Sequence, residues 1–130
     1  MSPTKKHEWV DFHTHILDSP SREADALASR KAGVSHWLIN SVNKKNWEEN
    51  TTRAKAFPEA RVGMGFHPEE VIRLSPEKVD VELRWMLQNV HTAPFIGETG
   101  LDYLYGKTLE QQKLQIHAFE QLLLAAHKHK

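Results

Sequence analysis

Short apolar runs alternate along the chain with longer amphipathic stretches. The run Trp9-Val10-Asp11-Phe12-His13-Thr14-His15 is rich in aromatic and β-branched residues and predicts a first strand near 9–15. Helix formers fill 21–32 and stop at Gly33, a residue suited to the position just past a helix end. The segment 34–41 predicts a second strand, the polar stretch 43–57 a helix closed by Pro58, and 61–66 a short third strand containing glycine. Ser75-Pro76-Glu77 opens the next helix: serine accepts from free first-turn amides, proline needs no donor there, and glutamate suits the positive end. Its apolar positions Val79, Leu83, Met86, Leu87 and Val90 share one face. A fourth strand is expected near 94–98. The last helix, over 108–129, starts on a Thr108–Gln111 capping box and is expected to bury Leu109, Ile116, Phe119, Leu122, Leu123 and Ala126.

Four β-α units in series imply an α/β fold of parallel strands with outer helices, because parallel neighbours need crossover connections. Two architectures satisfy this: a four-stranded open sheet, or the first four β-α units of a TIM-type (β/α)8 barrel. A complete barrel takes ~250 residues. The 130 residues here read as a single domain that supplies about half of one.

Composition narrows the function classes. Seventeen Lys+Arg balance 17 Asp+Glu, which excludes a basic protein that coats nucleic acid by neutralising phosphates. Absence of cysteine removes disulfides and thiolate metal sites and suits a reducing compartment. No apolar run approaches the ~18 residues of a membrane span. Met1-Ser2-Pro3-Thr4-Lys5-Lys6 is followed by no signal-peptide hydrophobic stretch. The expectation is a soluble cytoplasmic protein that does not engage membranes.

Nine histidines remain to be explained. Strand alternation puts His13 and His15 on one face, where two imidazoles make a ligand pair for a divalent metal. Asp11 shares that face and is a candidate to orient an imidazole from behind. Two half-exposed histidines are the plain alternative, since a His-x-His pair arises easily by chance. His127 and His129, two apart on a helix, point in different directions and read as a solvated cationic end. His67 stands at the end of the third strand before Pro68, placed either to look into a site or simply to turn the chain. Glu98, bracketed by Gly97 and Gly100, offers a carboxylate able to bridge two metal ions, or a salt-bridged rim residue.

Taken together, the segments 11–18 (Asp-Phe-His-Thr-His-Ile-Leu-Asp), 65–68 (Gly-Phe-His-Pro) and 96–103 (Ile-Gly-Glu-Thr-Gly-Leu-Asp-Tyr) resemble, in order and spacing, the signatures of TatD-type metal-dependent deoxyribonucleases. The likeness runs from Trp9 onward. It implies an amidohydrolase-type (β/α)8 barrel and metal-dependent hydrolysis of DNA phosphodiesters. His13 and His15 would bind one metal, and Glu98 would bridge two and serve as the catalytic carboxylate. His67 would lie near the site, and Asp102 and Tyr103 in the loop over it. Two divalent ions per complete site are implied, with magnesium, manganese and zinc not distinguished. Thr99 departs from the apolar residue more usual after the bridging glutamate.

In that family a fifth strand follows the long helix and ends in a metal-binding histidine, and later strands add a further histidine and an aspartate base. No Asp lies beyond Asp102 here, and the later histidines sit on a helix. The resemblance therefore supplies about half of the metal shell, and little or no nuclease activity is expected of a 130-residue monomer. Three readings stay open: a fragment of a longer barrel, placed first; a half that associates with itself or another half through open sheet edges; or a reduced, non-catalytic binding protein. Hydrolysis of an ester, lactone or amide is the alternative chemistry, because fold does not fix function.

Overall fold

The computed structural model describes residues 7–129, so the Met1–Lys6 segment read for a leader sequence lies outside the described residues. Among the described residues the strands are β1 (Trp9–Thr14), β2 (Val34–Ile39), β3 (Ala60–Val62), β4 (Met64–Phe66) and β5 (Ile96–Thr99). The helices are α1 (Arg22–Lys31), α2 (Lys44–Ala54), α3 (Pro68–Ile72), α4 (Pro76–Asn89) and α5 (Leu109–Lys128). Every strand pairing is parallel, in the orders β1-β2-β3 and β4-β5.

The expected third strand is present in two pieces. Residues 60–62 pair with β2 and 64–66 pair with β5, so this one segment joins the two sheets. The division falls at Gly63, whose N–H donates to Ile39 at 2.8 Å, while the Met64 N–H donates to Phe95 at 3.1 Å. A Cβ at Gly63 would lie 2.2 Å from the Phe95 ring, so any larger residue at the crossing would displace that ring. The short helix α3 was not expected. Pro68 occupies its first turn, where a missing N–H costs nothing.

Helix starts follow the sequence chemistry. Ser75 Oγ accepts from the Lys78 amide, and Thr108 and Gln111 form the reciprocal capping box. Gly33 takes a φ of 91° just after α1, in the left-handed region that glycine tolerates. Helix α4 buries Val79, Leu83 and Met86, with Val90 buried just beyond it, as its periodicity predicts. Helix α5 corrects the expectation: its buried residues are Gln115, Ala118, Leu122 and Ala125, while Leu109, Ile116 and Leu123 are exposed. Small residues at 118 and 125 share the buried face with Leu122, and Leu109, Leu123 and Leu124 are turned to the other side.

Two apolar clusters form the core. Leu17, Ala26, Trp37, Ile39 and Phe57 lie between β2, α1 and the turn after β1. Met64, Phe66, Val71, Val79, Leu83, Met86 and Leu122 join β4 to α3, α4 and α5. No described helix is long and apolar enough to cross a membrane.

Candidate metal centre

The side chains that carry chemistry gather where the parallel strands end. His13 is in β1, and His15 follows it at the start of a 3-10 turn over Ile16–Asp18, whose Leu17 is buried. The two imidazoles lie on one side with ring centroids 5.2 Å apart, in keeping with strand alternation. Glu98 reaches them from β5. Its Oε2 lies 3.5 Å from His13 Nε2 and 3.4 Å from His15 Nε2.

These spacings fit a divalent cation. Metal–ligand bonds of ~2.0–2.1 Å at tetrahedral angles place neighbouring ligand atoms about 3.3 Å apart. One ligand atom from each of His13, His15 and Glu98 falls within 4.8 Å of the others. A donor set of two imidazoles and one carboxylate suits zinc and other divalent first-row ions.

Backbone geometry holds Glu98 in place. Its N–H donates to the Ser41 carbonyl at 3.0 Å, and the Ser41 N–H donates to Gly97 at 3.1 Å, so the residues past β2 pair across to β5. A Cβ on Gly65 would fall 2.2 Å from the Glu98 carbonyl oxygen, and one on Gly97 would fall 2.4 Å from Asn40 Oδ1. At Gly65 the neighbours are backbone and leave room for a single hydrogen, whereas at Gly97 the Asn40 side chain would have to move. Thr99 Oγ1 is buried without a hydrogen-bond partner among the described residues.

His67 joins the cluster on the far side of the carboxylate, with Nε2 3.4 Å from Glu98 Oε1. It caps α3, its Nδ1 accepting the Glu69 N–H at 3.1 Å. A cleft of about 440 Å³ opens between His15, Val42, His67, Glu69, Glu70 and Glu98. Arg73 is ion-paired to both Glu69 and Glu70, which offsets part of the acidity at that wall.

Asp11 does not orient an imidazole. Its Oδ1 accepts the His13 main-chain N–H at 3.1 Å, a local bond that turns the carboxylate onto its own strand. Asp18 stands behind His15 instead, with Oδ2 3.9 Å from Nδ1. Its other oxygen accepts from Arg53 Nη1 at 2.8 Å and Asn46 Nδ2 at 3.0 Å, both on α2. Asn50, fully buried, continues this polar row to Ser41. Sequence reasoning missed all four residues. The signal was the spacing of Asn46, Asn50 and Arg53, which places them on one face of α2. Asp102 and Tyr103 make no hydrogen bond or ion pair with the His13–His15–Glu98 group. Asp102 is tied by its main chain to Gln115, and Tyr103 is exposed. His127 and His129 are exposed at the end of α5, and His117 pairs with Asp80 of α4.

Fold and site together define a class: parallel β-α units of a TIM-type barrel carrying a candidate divalent-metal centre at the strand ends. The family model for TatD-related DNases matches residues 10–130, and the chain belongs to that family. Among solved structures, YJJV, a TatD homologue from Escherichia coli K12, is 26% identical with a TM-score of 0.72, covering 93% of this chain and 47% of that one. A TatD-family hydrolase from Entamoeba histolytica shares the fold at 19% identity and a TM-score of 0.69, covering 96% and 48%. The chain thus spans about half the length of these structures. Comparison with curated proteins gives no match.

Proposed function

We propose that this chain is one domain supplying the His-x-His and bridging-glutamate portion of a TatD-type metal-dependent hydrolase that cleaves DNA phosphodiesters. The observation that carries this reading is the convergence of His13, His15 and Glu98 within ligand distance at the ends of parallel strands. A divalent cation held there supplies Lewis-acid activation of a phosphoryl oxygen and of the attacking water. The protein's own part is to fix the imidazoles and the carboxylate, and Asp18, held by Arg53 and Asn46, places a carboxylate 3.9 Å from His15 Nδ1. Zero net charge agrees with phosphate recognition through metal ions rather than through Lys and Arg. The uncovered edge at β1, where Trp9 and Phe12 are exposed, is where the remainder of an eight-stranded barrel closes and adds the other ligands.

Zinc titration against a chromophoric chelator tests the site. One equivalent is expected to bind, and Glu98→Gln is expected to weaken binding at least about tenfold. Binding that ignores Glu98→Gln overturns the assignment. For substrate class, the barrel is completed with the second half of the E. coli relative and assayed on DNA, esters and lactones. Glu98-dependent DNA cleavage supports the nuclease reading. Turnover of esters or lactones alone replaces it.

A further inference from the structure

The two ends of the strand array carry apolar surface that nothing among the described residues covers. At one end stands β1, paired along one edge with β2. Its side chains from Trp9 to His13 are exposed, with Trp9 at 62% and Phe12 at 74%. At the other end stands β5, paired with β4 and flanked by α5. Leu109, Ile116 and Leu123 of α5 are exposed and stand seven residues apart, so they form one line along the helix. His117, ~100° further round than Ile116, pairs with Asp80 of α4, which leaves the line on the flank turned away from α4. Neither β1 nor β5 contains the lysine or proline that guards an exposed edge.

These two ends suit each other. Every pairing in the molecule is parallel, so β1 of a second copy can extend the array beyond β5 in the same direction, beside the open line of α5. Such a head-to-tail contact either closes into a ring or grows without limit. Closure falls at two copies: the chain matches 47% and 48% of the length of its two solved relatives, and eight strands close a TIM-type barrel. The surface to be covered is large enough. All 130 residues together expose 8420 Å² at 15.0 kDa, where a self-contained globular chain of that mass exposes about 7,000 Å². The excess exceeds the ~800 Å² that each partner buries in a standard stable interface. A net charge of zero sets up no overall repulsion between copies.

We propose that the β1 end and the β5–α5 end are the two sides of one interface, and that its occupant is a second copy of this chain. The product is a two-fold closed dimer in which the contact is made twice. One mouth then receives His13, His15 and Glu98 from both copies. The inference rests on the half-barrel reading of the fold and is independent of metal binding.

Sedimentation velocity at tens of micromolar, without metal or DNA, reads the mass. The parent is expected at twice the 15.0 kDa of one chain. Phe12→Lys at one end, and Ile116→Glu with Leu123→Glu at the other, are each expected at the mass of one chain. Their circular dichroism should match the parent, because all three side chains are exposed in the single chain. An equimolar mixture of the two variants is expected to regain the doubled mass, since a mixed pair keeps one contact intact and sets Lys against Glu at the other. Phe12→Ala should raise the dissociation constant at least about tenfold and leave the dissociated chain, where Phe12 is exposed, nearly as stable as before. A parent that sediments as a single chain overturns the proposal, including one that associates only with the added second half of the E. coli relative. So does growth beyond two copies, a mixture that stays at the mass of one chain, or a Phe12→Lys variant that stays paired, which marks contact between two α5 helices. A dimer that binds no zinc counts against the metal-site reading alone, and a zinc-binding monomer against this one alone.

Discussion

β1 and β4 deliver histidines to the same cluster from opposite surroundings. All three residues of β4 are buried, and Met64 and Phe66 sit in the larger apolar cluster under α3, α4 and α5. In β1 the side chains from Trp9 through His13 are exposed, with Phe12 at 74%. The site is thus half built on a packed wall and half on an open edge. The packed half sets where Glu98 and His67 stand. The open half holds His13 and His15 through pairing with β2 and through the turn anchored by Leu17 and Asp18. On the β1 side the strand itself is exposed, and the turn that carries His15 is pinned by buried Leu17 and by the bonds of Asp18 to Arg53 and Asn46.

Substitution on the two strands should break the symmetry most sharply. Gly65→Ala places a methyl group 2.2–2.4 Å from the Gly97–Glu98 main chain, where no flexible side chain can give way. Chemical denaturation should show a loss of at least about 3 kcal/mol, or no cooperative fold. Phe12→Ala on the exposed edge should change stability by less than about 0.5 kcal/mol. Similar losses at both positions would mean that the β1 edge is covered in solution.

The legible parts of the molecule were those governed by local rules. Strand parity put His13 and His15 on one face, and the Ser75 and Thr108 caps started their helices where side-chain chemistry requires. What escaped depends on partners distant in sequence. At Gly63 the chain passes from pairing with β2 to pairing with β5 under the Phe95 ring, a partner that no pattern around residue 63 reveals. The buried face of α5 was misassigned because leucines occur around much of the helix, and the face that packs inward holds alanine at 118 and 125 beside Leu122. Asp18 displaced Asp11 as the group behind an imidazole because a 3-10 turn folds it back, with its N–H on the His15 carbonyl at 2.9 Å. Parity along a strand cannot anticipate a turn beyond its end.

Polar bracing of the open half gives the next test. Asp18→Asn keeps the size of the side chain but removes the charge facing His15 Nδ1 and weakens the contact to Arg53. Zinc affinity should fall by less than about tenfold, because the carboxylate stands 3.9 Å from His15 Nδ1, beyond hydrogen-bond reach, and acts as a nearby charge. The same substitution should leave the ring resonances of His67, read from proton–nitrogen correlation spectra of the 15N-labelled chain, unchanged, since α3 fixes that residue independently. Equal disturbance of both histidines would show the two halves of the site to be mechanically coupled rather than separately supported.

The smallest effect is expected on the β1–β2 side, remote from the site. Arg30 of α1 is ion-paired with Glu59, Nη2 lying 3.0 Å from Oε2, and the guanidinium also sits 5.6 Å from the Trp37 ring centroid. Hydrogen bonding from Arg30 holds the Glu59 carboxyl below its ordinary value of 4.5, against a smaller opposing effect of burial. A depressed folded-state value means that the unfolded chain takes up protons first as pH falls. The contribution of the pair is therefore full above the ordinary carboxyl range and vanishes as pH drops through the lower folded value. Glu59→Gln should lower stability slightly at neutral pH, where the pair is charged and largely solvent-screened. Unfolding curves of parent and variant should converge on the acid side of the carboxyl range. A gap that persists or widens there would assign the role of Glu59 to packing against α1 rather than to its charge.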